Sequence, residues 1–294
     1  MSDKDEGIIR RASGLLVIEV INSNPNGDPD RESDPRTRPD RRGEISPVSF
    51  KRKLRDLLED KEGPTWLDIQ TRLTPRLDPT KFEILESRGR VRAKVIEEAK
   101  AGKFLGKYWD ARVFGNTFLE KEVSQHLATG VVQFGLGLSI APVAIERLTT
   151  TNKSGVQEGK DRGMAPLAYR VVTHGVYVMP FFVNASAARK TQCTSRDIEV
   201  LQHLIPLAYS QTASYIRTSV ELRHAWYIEH KSPLGSASDL ELIAAMTPHK
   251  RERPDEPSKN WADYDVPTTL PQEFQVRVSP LRDLMAEAYA AASA

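Results

Sequence analysis

Four stretches of the chain combine consecutive apolar residues with β-branched or aromatic side chains. They are LLVIEVIN (15–22), GVVQFGLGLSI (130–140), YRVVTHGVYVMPFFV (169–183) and RHAWYIEHK (223–231). Short apolar runs of this kind, bounded by turn residues, are typical of buried or half-buried β-strands. We therefore predict four strands in this order along the chain.

Two segments between these strands have the apolar spacing of helices. The first begins at Ser46-Pro47, where a serine N-cap precedes the proline that suits a first helical position. The second begins at Thr194 or Ser195. The apolar stripes are Phe50, Leu54, Leu57 and Leu58 in the first helix and Ile198, Leu201, Ile205 and Leu207 in the second. The order strand, helix, strand, strand, helix, strand predicts an α+β fold with a ferredoxin-like, split βαβ antiparallel sheet.

Four further segments lie outside this pattern. Residues 62–107 are charged and mostly helical in character, and they are predicted to form an insertion. The hydrophilic stretch 149–166 predicts a projecting hairpin or a mobile loop, and 250–272 is too rich in proline and polar residues for a core element. The loop 23–45 is long and polar, which is unusual inside a compact domain unless the loop has a function.

The composition is that of a soluble globular protein, with 39% apolar and 28% charged residues among 294. This length suits one large domain with insertions or two smaller domains. The single cysteine, Cys193, excludes an internal disulfide and a cysteine-rich zinc site, which is consistent with a reducing cytoplasm. The polar N-terminal sequence lacks the apolar core of a signal peptide, and no apolar run has the roughly 20 residues that a membrane helix needs. We therefore predict a cytoplasmic protein without a membrane partner.

Positive charge is concentrated locally, because the net charge of the whole chain is only +2. Eight cations lie within twenty residues: Arg36, Arg38, Arg41, Arg42, Lys51, Arg52, Lys53 and Arg55. In the first helix, Lys51 and Arg55 lie one turn apart on the side opposite the apolar stripe. The free N–H groups at the start of this helix also attract anions. The pattern is compatible with a solvated basic face, and equally with a site for nucleic-acid phosphates.

Several motifs with established chemistry are incomplete in this sequence. DPDRESDPRTRPD (28–40) lacks the glycine and the bidentate glutamate of an EF-hand loop. GKFLGKY and GVQEGKD are each one residue short of a phosphate-binding P-loop and lack its Ser or Thr. His224 and His230 have no cysteine or carboxylate at a metal-ligand spacing, so we interpret them as ordinary strand residues. We predict neither a metal nor a cofactor.

Six motifs in a fixed order carry a family resemblance. They are NSNPNGDPD (22–30), ISPVSFKRKLRDLL (45–58), WDARVFGNTF (109–118), GVVQFGLGLSIAPV (130–143), RGMAPLAYRVVTHG (162–175) and YIEHKSPLGSAS (227–238). Together they resemble the backbone subunit of type I CRISPR interference (Cascade) complexes. Within the RAMP-like superfamily, the resemblance is to the branch that occurs in CRISPR subtypes I-B and I-C.

The resemblance implies a single hand-shaped unit. An RRM-like palm would carry a helical finger insertion and a projecting thumb hairpin. The implied boundaries are about 14–60, 128–148 and 168–248 for the palm, 62–127 for the finger, 149–168 for the thumb and 249–294 for a C-terminal excursion.

The resemblance also implies a non-catalytic function in antiviral defence. Several copies would polymerise head-to-tail along the guide crRNA, hold its phosphate backbone and present its bases for pairing with target DNA. The implied partners are crRNA, further copies of the chain, the handle-binding, large and small subunits of Cascade, and target DNA through the guide duplex.

The resemblance assigns RNA contacts to the first loop and helix, the finger, the palm and the thumb. Ser46 and Ser49 would help the helix N-terminus to bind a phosphate. In the thumb, Met164 would wedge beside a flipped base while Arg162 and Arg170 contact phosphates. The expected contacts are Asn24, Asn26, Gly27, Ser46, Ser49, Lys51, Arg52, Arg55, Arg112, Gln133, Arg162, Met164 and Arg170.

Two of these assignments leave alternatives open. Asn24, Asn26 and Gly27 would form a tight turn that brings the main chain close to RNA, or would serve turn formation alone. Arg112 would contact RNA from the finger, or would form a salt bridge with Asp110.

Two other functions also remain open from the sequence. The related backbone subunits of type III complexes cut target RNA with an aspartate between the first strand and the first helix. This loop contains four candidates for such a metal-dependent role, Asp28, Asp30, Asp34 and Asp40. The other alternative is a generic RRM-like protein that binds single-stranded RNA without forming a filament.

Overall fold

A computed structural model describes residues 9–116, 128–153 and 164–292. Within these ranges the strands are β1 (Ala12–Ser23), β2 (Arg42–Ile45), β3 (Gly115–Asn116), β4 (Ala128–Thr129), β5 (Val132–Phe134), β6 (Gly137–Pro142), β7 (Ile145–Lys153), β8 (Met164–Val183), β9 (Val220–Glu229), β10 (His249–Lys250), β11 (Tyr264–Asp265) and β12 (Arg282–Asp283). The α-helices are α1 (Pro47–Glu59), α2 (Pro64–Arg72), α3 (Arg92–Lys100), α4 (Phe104–Lys107), α5 (Trp109–Phe114), α6 (Ala188–Thr191), α7 (Ser195–Leu204), α8 (Asp239–Met246), α9 (Gln272–Gln275) and α10 (Leu284–Ala292). Short 3₁₀ helices lie at Pro79–Lys81, Ala185–Ala187, Ile205–Leu207, Ser210–Thr212 and Trp261–Asp263.

The central feature is an antiparallel sheet with the strand order β12-β9-β1-β8-β6-β2, in which β5 and β7 also pair with β8. β1 lies between β8 and β9, and its Val17 is opposite Val178 and His224. The predicted α+β class with an antiparallel sheet is confirmed, and so are the strands predicted from residues 15, 169 and 223. In the described ranges no helix is long and apolar enough to cross a membrane.

The strand predicted at 130–140 is divided into β5 and β6 by a bulge. Phe134 is opposite Phe181 in β8, whereas Leu138 is opposite Val178, so the register shifts by one residue between the two pairs. Gly135 lies at the shift and donates its N–H to the carbonyl of Pro180 at 2.7 Å. A Cβ at Gly135 would lie 2.8 Å from the Pro180 ring, so the close approach requires glycine.

The two predicted long helices form where local signals place them. Ser46 caps α1, and its side chain accepts from the Ser49 N–H at 3.2 Å. Thr194 caps α7 in a reciprocal capping box with Asp197. The predicted apolar stripe of α1 is buried, with Phe50 and Leu54 fully inaccessible to solvent.

Alternate residues of β1 face two different apolar clusters, as the pleat of a strand requires. Leu16, Ile18 and Val20 belong to the larger cluster, which also contains the apolar side chains of α1 and α7. Leu15 and Val17 belong to the cluster on the other side of the sheet. The sheet is therefore covered on both faces.

The second face of the sheet is covered by residues 239–281, here called the C-terminal cover. Leu242 and Met246 of α8 pack there with Tyr264, Leu270 and further apolar residues of this segment. The prediction that 250–272 contributes nothing to the core was therefore wrong. The apolar residues of this segment are isolated between polar ones, so no helical or strand periodicity revealed them.

Three histidines on or next to the sheet form polar contacts near the C-terminal cover. His174 Nδ1 lies 2.7 Å from the Ser258 hydroxyl and its Nε2 lies 3.1 Å from Glu19. His230 Nε2 is 2.9 Å from an Asp239 oxygen, and His224 Nδ1 is 2.7 Å from Asp283. These contacts satisfy polar groups that burial would otherwise leave unpaired.

The insertion after α1 has a small core of its own, made of Leu85, Val95, Phe104, Tyr108 and Ala111 among others. It contains α2 to α5. Apolar residues such as Trp66, Ile69 and Trp109 belong to the larger cluster, and buried ion pairs that involve α5 add to this connection with the rest of the molecule. Its predicted continuation over 117–127 lies outside the described residues.

The β7–β8 hairpin is in the position predicted for a projecting hairpin. Its register runs from Ile145 opposite Val172 to Lys153 opposite Met164, and within the described residues β8 is the one strand that pairs with β7. The hairpin is longer than the predicted 149–168, because regular pairing already begins at Ile145. Residues 154–163, which connect the two strands, lie outside the described part of the chain.

Candidate nucleic-acid interface

The segment between β1 and α1, residues 24–45, is ordered by main-chain hydrogen bonds despite its polar sequence. The Asp28 N–H donates to Asp34 O at 2.7 Å, and the Arg36 N–H donates to Asn26 O at 2.9 Å. The Glu44 N–H in turn donates to Arg36 O at 2.9 Å. These bonds fold the segment back on itself beside the N-terminus of α1.

Asn24 and Asn26 organise this segment from inside. Asn26 Oδ1 accepts from the Ser46 N–H at 2.8 Å and so fixes the residue that caps α1. Asn24 Nδ2 donates to Ser33 O at 2.7 Å, and both asparagine residues are buried. A Cβ on Gly27 would lie 3.0 Å from Ser33 O, so glycine permits this close approach.

The tight turn predicted at Asn24, Asn26 and Gly27 is therefore corrected. The turn lies at residues 29–33, where Glu32 and Ser33 adopt positive φ angles of 50° and 63°. The asparagine side chains make internal contacts that shape the segment, while Asn24 Oδ1 has no hydrogen-bond partner among the described residues. Their contact with RNA stays a prediction.

Lys51 has no acidic partner in the part of the chain that the structure describes. Among the described residues it forms no ion pair, and its Nζ lies 5.8 Å from the centre of the Phe114 ring. Burial, and then the charge of Arg55, lower the pKa of Lys51. An anion beside Lys51 would therefore stabilise the charged form of this side chain.

A second pair of like charges joins α1 to the segment before β9. Burial, followed by the charge of Arg217, lowers the pKa of Lys53 to about 8. Lys53 Nζ donates to the Thr212 hydroxyl at 2.8 Å and lies 4.9 Å from the centre of the Tyr209 ring. Arg217 Nε donates to Asn24 O at 3.1 Å, which places this guanidinium beside the 24–45 segment.

A third pair lies on the β7–β8 hairpin, where Arg147 is directly opposite Arg170. Like charges at opposite positions of an antiparallel pair repel each other. Arg170 also forms a half-exposed ion pair with Asp34 of the 24–45 segment. We call Lys51/Arg55, Lys53/Arg217 and Arg147/Arg170 the three cation pairs; all of them lie on or beside elements that contact residues 24–45.

Comparison with known proteins identifies the family of this chain. The family model described as CRISPR-associated protein Cas7 matches residues 10–269. The chain belongs to the Cas7 family. The resemblance that the six sequence motifs predicted is thereby confirmed at the level of the family, since every one of those motifs lies within the matched range.

One curated relative and two solved structures illustrate the similarity. The chain is 27% identical over 259 residues to the CRISPR-associated protein Cas7 of Haloferax volcanii, which covers 76% of this chain and 71% of that protein. A chain of a CRISPR RNA-guided surveillance complex in a pre-nicking state gives a TM-score of 0.48 at 15% identity, with 75% of this chain and 78% of that chain covered. A chain of the type III-B Cmr-beta complex bound to cognate target RNA gives 0.43 at 11% identity, with 75% and 61% covered.

Two predicted contacts of this Cas7-family chain are withdrawn, because the side chains are buried in ion pairs. Arg55 Nε donates to Asp110 Oδ2 at 2.8 Å. Arg112 pairs with Asp197 and not with Asp110, at 2.7 Å between Nη2 and Oδ1. Arg112 also donates to two backbone carbonyls, so its guanidinium has a structural role within the fold. Arg55 contributes to the interface only through the charge that acts on Lys51.

Other predicted residues occupy varied environments. Arg52 donates to the carbonyl of Glu86 and lies 3.6 Å from Asp56, so it is partly committed to the insertion. Gln133 is exposed on β5, and its amide donates to Gly130 O at 3.2 Å. Its neighbour Phe134 is buried against Phe50 and Phe181, so no exposed stacking group stands at this position. The side chains of Arg162 and Met164 lie outside the described part of the molecule.

Several residues of the interface were not selected from the sequence. Lys53 is one of the local cations, but the sequence predicts no RNA contact for it. Arg147 and Arg217 lie in segments without a recognisable motif. Arg147 and Arg217 come near α1 only through contacts between segments that are distant in the sequence. No local signal identifies them.

The aspartates of the 24–45 segment take part in local contacts. Asp28 Oδ1 accepts from the Asp30 N–H at 3.1 Å, and Asp40 Oδ1 accepts from the Arg42 N–H at 3.1 Å. Asp34 pairs with Arg170. Within the described ranges, no group of three or more His, Cys, Asp or Glu side chains has the arrangement of a metal site.

Proposed function

We propose that this chain is a non-catalytic backbone subunit of a type I CRISPR interference complex, and that it binds the sugar–phosphate chain of the guide RNA. The observation that carries the proposal is the set of three cation pairs around residues 24–45. Lys51, Lys53, Arg147 and Arg217 form no ion pair among the described residues, so a polyanion would compensate their charge. Arg55 and Arg170 each have one acidic partner, Asp110 and Asp34. Cas7 family membership supports RNA as the polyanion.

The start of α1 supplies a second element of the proposed phosphate site. The first-turn N–H groups of a helix carry partial positive charge and accept anionic ligands. The Ser49 N–H donates to the Ser46 side chain, the Ser46 N–H donates to Asn26, and Pro47 has no N–H. We therefore assign the Val48 N–H, together with the Ser49 hydroxyl and Lys51, to a phosphate.

We infer that strands β9, β1, β8 and β6, with α1 and α7, form an RRM-like palm. Their spatial order corresponds to strands four, one, three and two of a split βαβ unit, which supports this assignment. The insertion would be the finger, with boundaries of about 62–127, and the β7–β8 hairpin would be the thumb.

We further propose that copies of the chain assemble head-to-tail along crRNA, as a heterologous contact that does not close on itself allows. The guide bases would remain available for pairing with target DNA, while the protein reads backbone and shape. The handle-binding, large and small subunits of Cascade are the expected neighbours. The absence of catalysis is part of the proposal, and the local contacts of Asp28, Asp34 and Asp40 support it.

The test is to express the chain with its neighbouring genes and repeat array and to sequence the RNA that purifies with it. Repeat-flanked fragments of uniform length are expected. The same preparation should leave a complementary RNA uncut when Mg²⁺ is added. Heterogeneous cellular RNA would contradict the guide-binding function. Regularly spaced cuts that disappear when Asp28, Asp30, Asp34 or Asp40 is replaced by alanine would indicate the RNA-cutting alternative.

RNA binding is expected to weaken as the pH rises above about 8. In the free protein the pKa of Lys53 is about 8. Lys53 is buried, so a phosphate beside residues 24–45 would raise this pKa through its charge and not through direct contact. Above pH 8 the free protein loses a proton that the complex retains, so binding takes up a proton and the affinity falls. Below pH 7 both states hold the proton and this contribution is constant.

The measurement is the dissociation constant of a short single-stranded RNA between pH 7 and 9.5 at constant ionic strength. Calorimetry in buffers with different ionisation enthalpies gives the proton uptake directly. Lys53→Arg keeps the charge at all these pH values, so it should reduce the uptake; Lys51 accounts for a remainder of the same sign. An unchanged uptake in the variant would show that Lys53 is not near the phosphate chain.

A further inference from the structure

An exposed tyrosine lies at the tip of a tightly held turn beside the proposed RNA site. The Arg217 N–H donates to Ser214 O at 2.8 Å, which closes a four-residue turn with Tyr215 as its second residue. Tyr215 is 61% exposed. A large aromatic side chain is thus presented to solvent on a hydrogen-bonded turn.

The turn is fastened to the end of β1 and the residue after it. The Asn24 N–H donates to Ile216 O at 2.7 Å, and Arg217 Nε returns a bond to Asn24 O at 3.1 Å. The Ser219 N–H donates to the Ser23 hydroxyl at 3.0 Å. The position of Tyr215 is therefore tied to the same segment that fixes the start of α1.

The ring of Tyr215 is oriented by a second tyrosine. Tyr169 of β8 lies with its ring centre 5.4 Å from that of Tyr215, at an interplanar angle of 65°. A side-chain hydrogen bond with Tyr215 raises the pKa of Tyr169. This edge-to-face pair connects the base of the β7–β8 hairpin with the turn, and it leaves much of the Tyr215 side chain exposed.

Charged neighbours give this aromatic pair a specific chemical character. Arg217 closes the turn that carries Tyr215, so a member of the cation pairs lies on the same turn as this ring. Arg170 follows Tyr169 in β8, where successive side chains point to opposite faces of the hairpin. A fixed aromatic face beside cations is the arrangement by which proteins hold single-stranded nucleic acid, since bases stack on the ring and phosphates contact the cations.

We propose that Tyr215 is a stacking platform for one nucleobase of single-stranded nucleic acid, with Tyr169 as the residue that positions its ring. This inference rests on the proposed RNA-binding function and adds a base contact to it. Stacking requires only a π-face, so the platform accepts any base, with purines held more tightly than pyrimidines because their stacking surface is larger.

The experiment measures binding of labelled single-stranded RNA by the intact chain and by four variants. Tyr215→Ala is expected to weaken binding roughly 5- to 150-fold, the range that corresponds to the loss of one stacked base. The slope of affinity against salt concentration should not change, because no phosphate contact is lost. Tyr215→Phe should retain most of the affinity, since it keeps the ring.

Tyr289→Ala is the matched control, because Tyr289 is also 61% exposed and lies on another element, α10. It should bind RNA as the unmodified chain does. If Tyr215→Ala behaves like this control while Lys51→Ala still weakens binding, the stacking platform is wrong and the proposed function stands. If the unmodified chain binds no RNA, the proposed function itself fails.

A fluorescent base analogue identifies the stacked base. With 2-aminopurine at successive positions of the guide RNA, Tyr215→Ala should increase fluorescence at the stacked position, because the quenching contact is lost. The same probe in a hybridised target strand tests the other source of a base. A response in either strand supports the platform and names its source, whereas no response in both strands, or equal loss of affinity in Tyr215→Phe, would overturn it.

Discussion

Replacing Asp197 with alanine is expected to lower the free energy of unfolding by about 3–5 kcal/mol, because it leaves a buried guanidinium without its counter-charge. The side chains of Arg112 and Asp197 are 6% and 1% exposed, and Arg112 Nε also lies 3.1 Å from Asp197 Oδ2. The change additionally removes the capping box of α7, which adds to the loss.

Urea denaturation followed by far-ultraviolet circular dichroism measures this change. Asp265→Ala is the matched control, since Asp265 forms an exposed ion pair with Arg251 at 2.7 Å. Exposed pairs of this kind contribute between about 0.2 and 1 kcal/mol, so the control should remain close to the unmodified protein. Equal effects of the two substitutions would show that the Arg112–Asp197 pair is solvated in solution.

Replacing one cation of α1 and both cations of the β7–β8 hairpin with neutral residues is expected to weaken RNA binding on the order of a hundredfold. The variant combines Lys51→Gln, Arg147→Gln and Arg170→Gln. A partly exposed phosphate contact contributes about 1 kcal/mol, between the values for surface ion pairs and for charged hydrogen bonds, and three such losses multiply. The logarithmic salt dependence should become shallower by about two, since each single-strand contact releases about 0.7 counterion.

The binding isotherms should be recorded between about 50 and 200 mM salt with several unrelated RNA sequences. A control variant with the same charge change carries Arg251→Gln, Lys259→Gln and Arg277→Gln, all exposed residues of the C-terminal cover. It should retain the affinity and the slope. An equal loss in the control, or a loss that depends strongly on RNA sequence, would contradict a backbone site at the three cation pairs.

The start of α1, which forms part of the candidate interface, could be predicted because the residues that specify it are neighbours in the chain. Ser46 and Pro47 specify the start, and Phe50 and Leu54 repeat at helical spacing on one side. The buried strands were equally visible as apolar runs. In each case, interactions within about ten residues decide the local conformation.

The roles of the cations on α1 could not be predicted in the same way. In the sequence, Lys51 and Arg55 are similar basic residues one turn apart. The fold places Asp110 against Arg55 and leaves Lys51 without an acidic partner among the described residues. Arg112 likewise finds Asp197, 85 positions away, instead of the adjacent Asp110.

By itself, the sequence determined the order of the sheet strands and long helices, the start of α1, the concentration of positive charge beside it and the resemblance to the Cas7 family. Only the tertiary structure decided which cations have their charge compensated by a buried carboxylate and which remain to attract an anion. It also decided that residues 239–281 cover the second face of the sheet. The physical reason is that helix starts and strand patterns depend on nearby residues. Ion pairing and burial depend on side chains that only the folded chain brings together, where desolvation makes the choice of partner decisive.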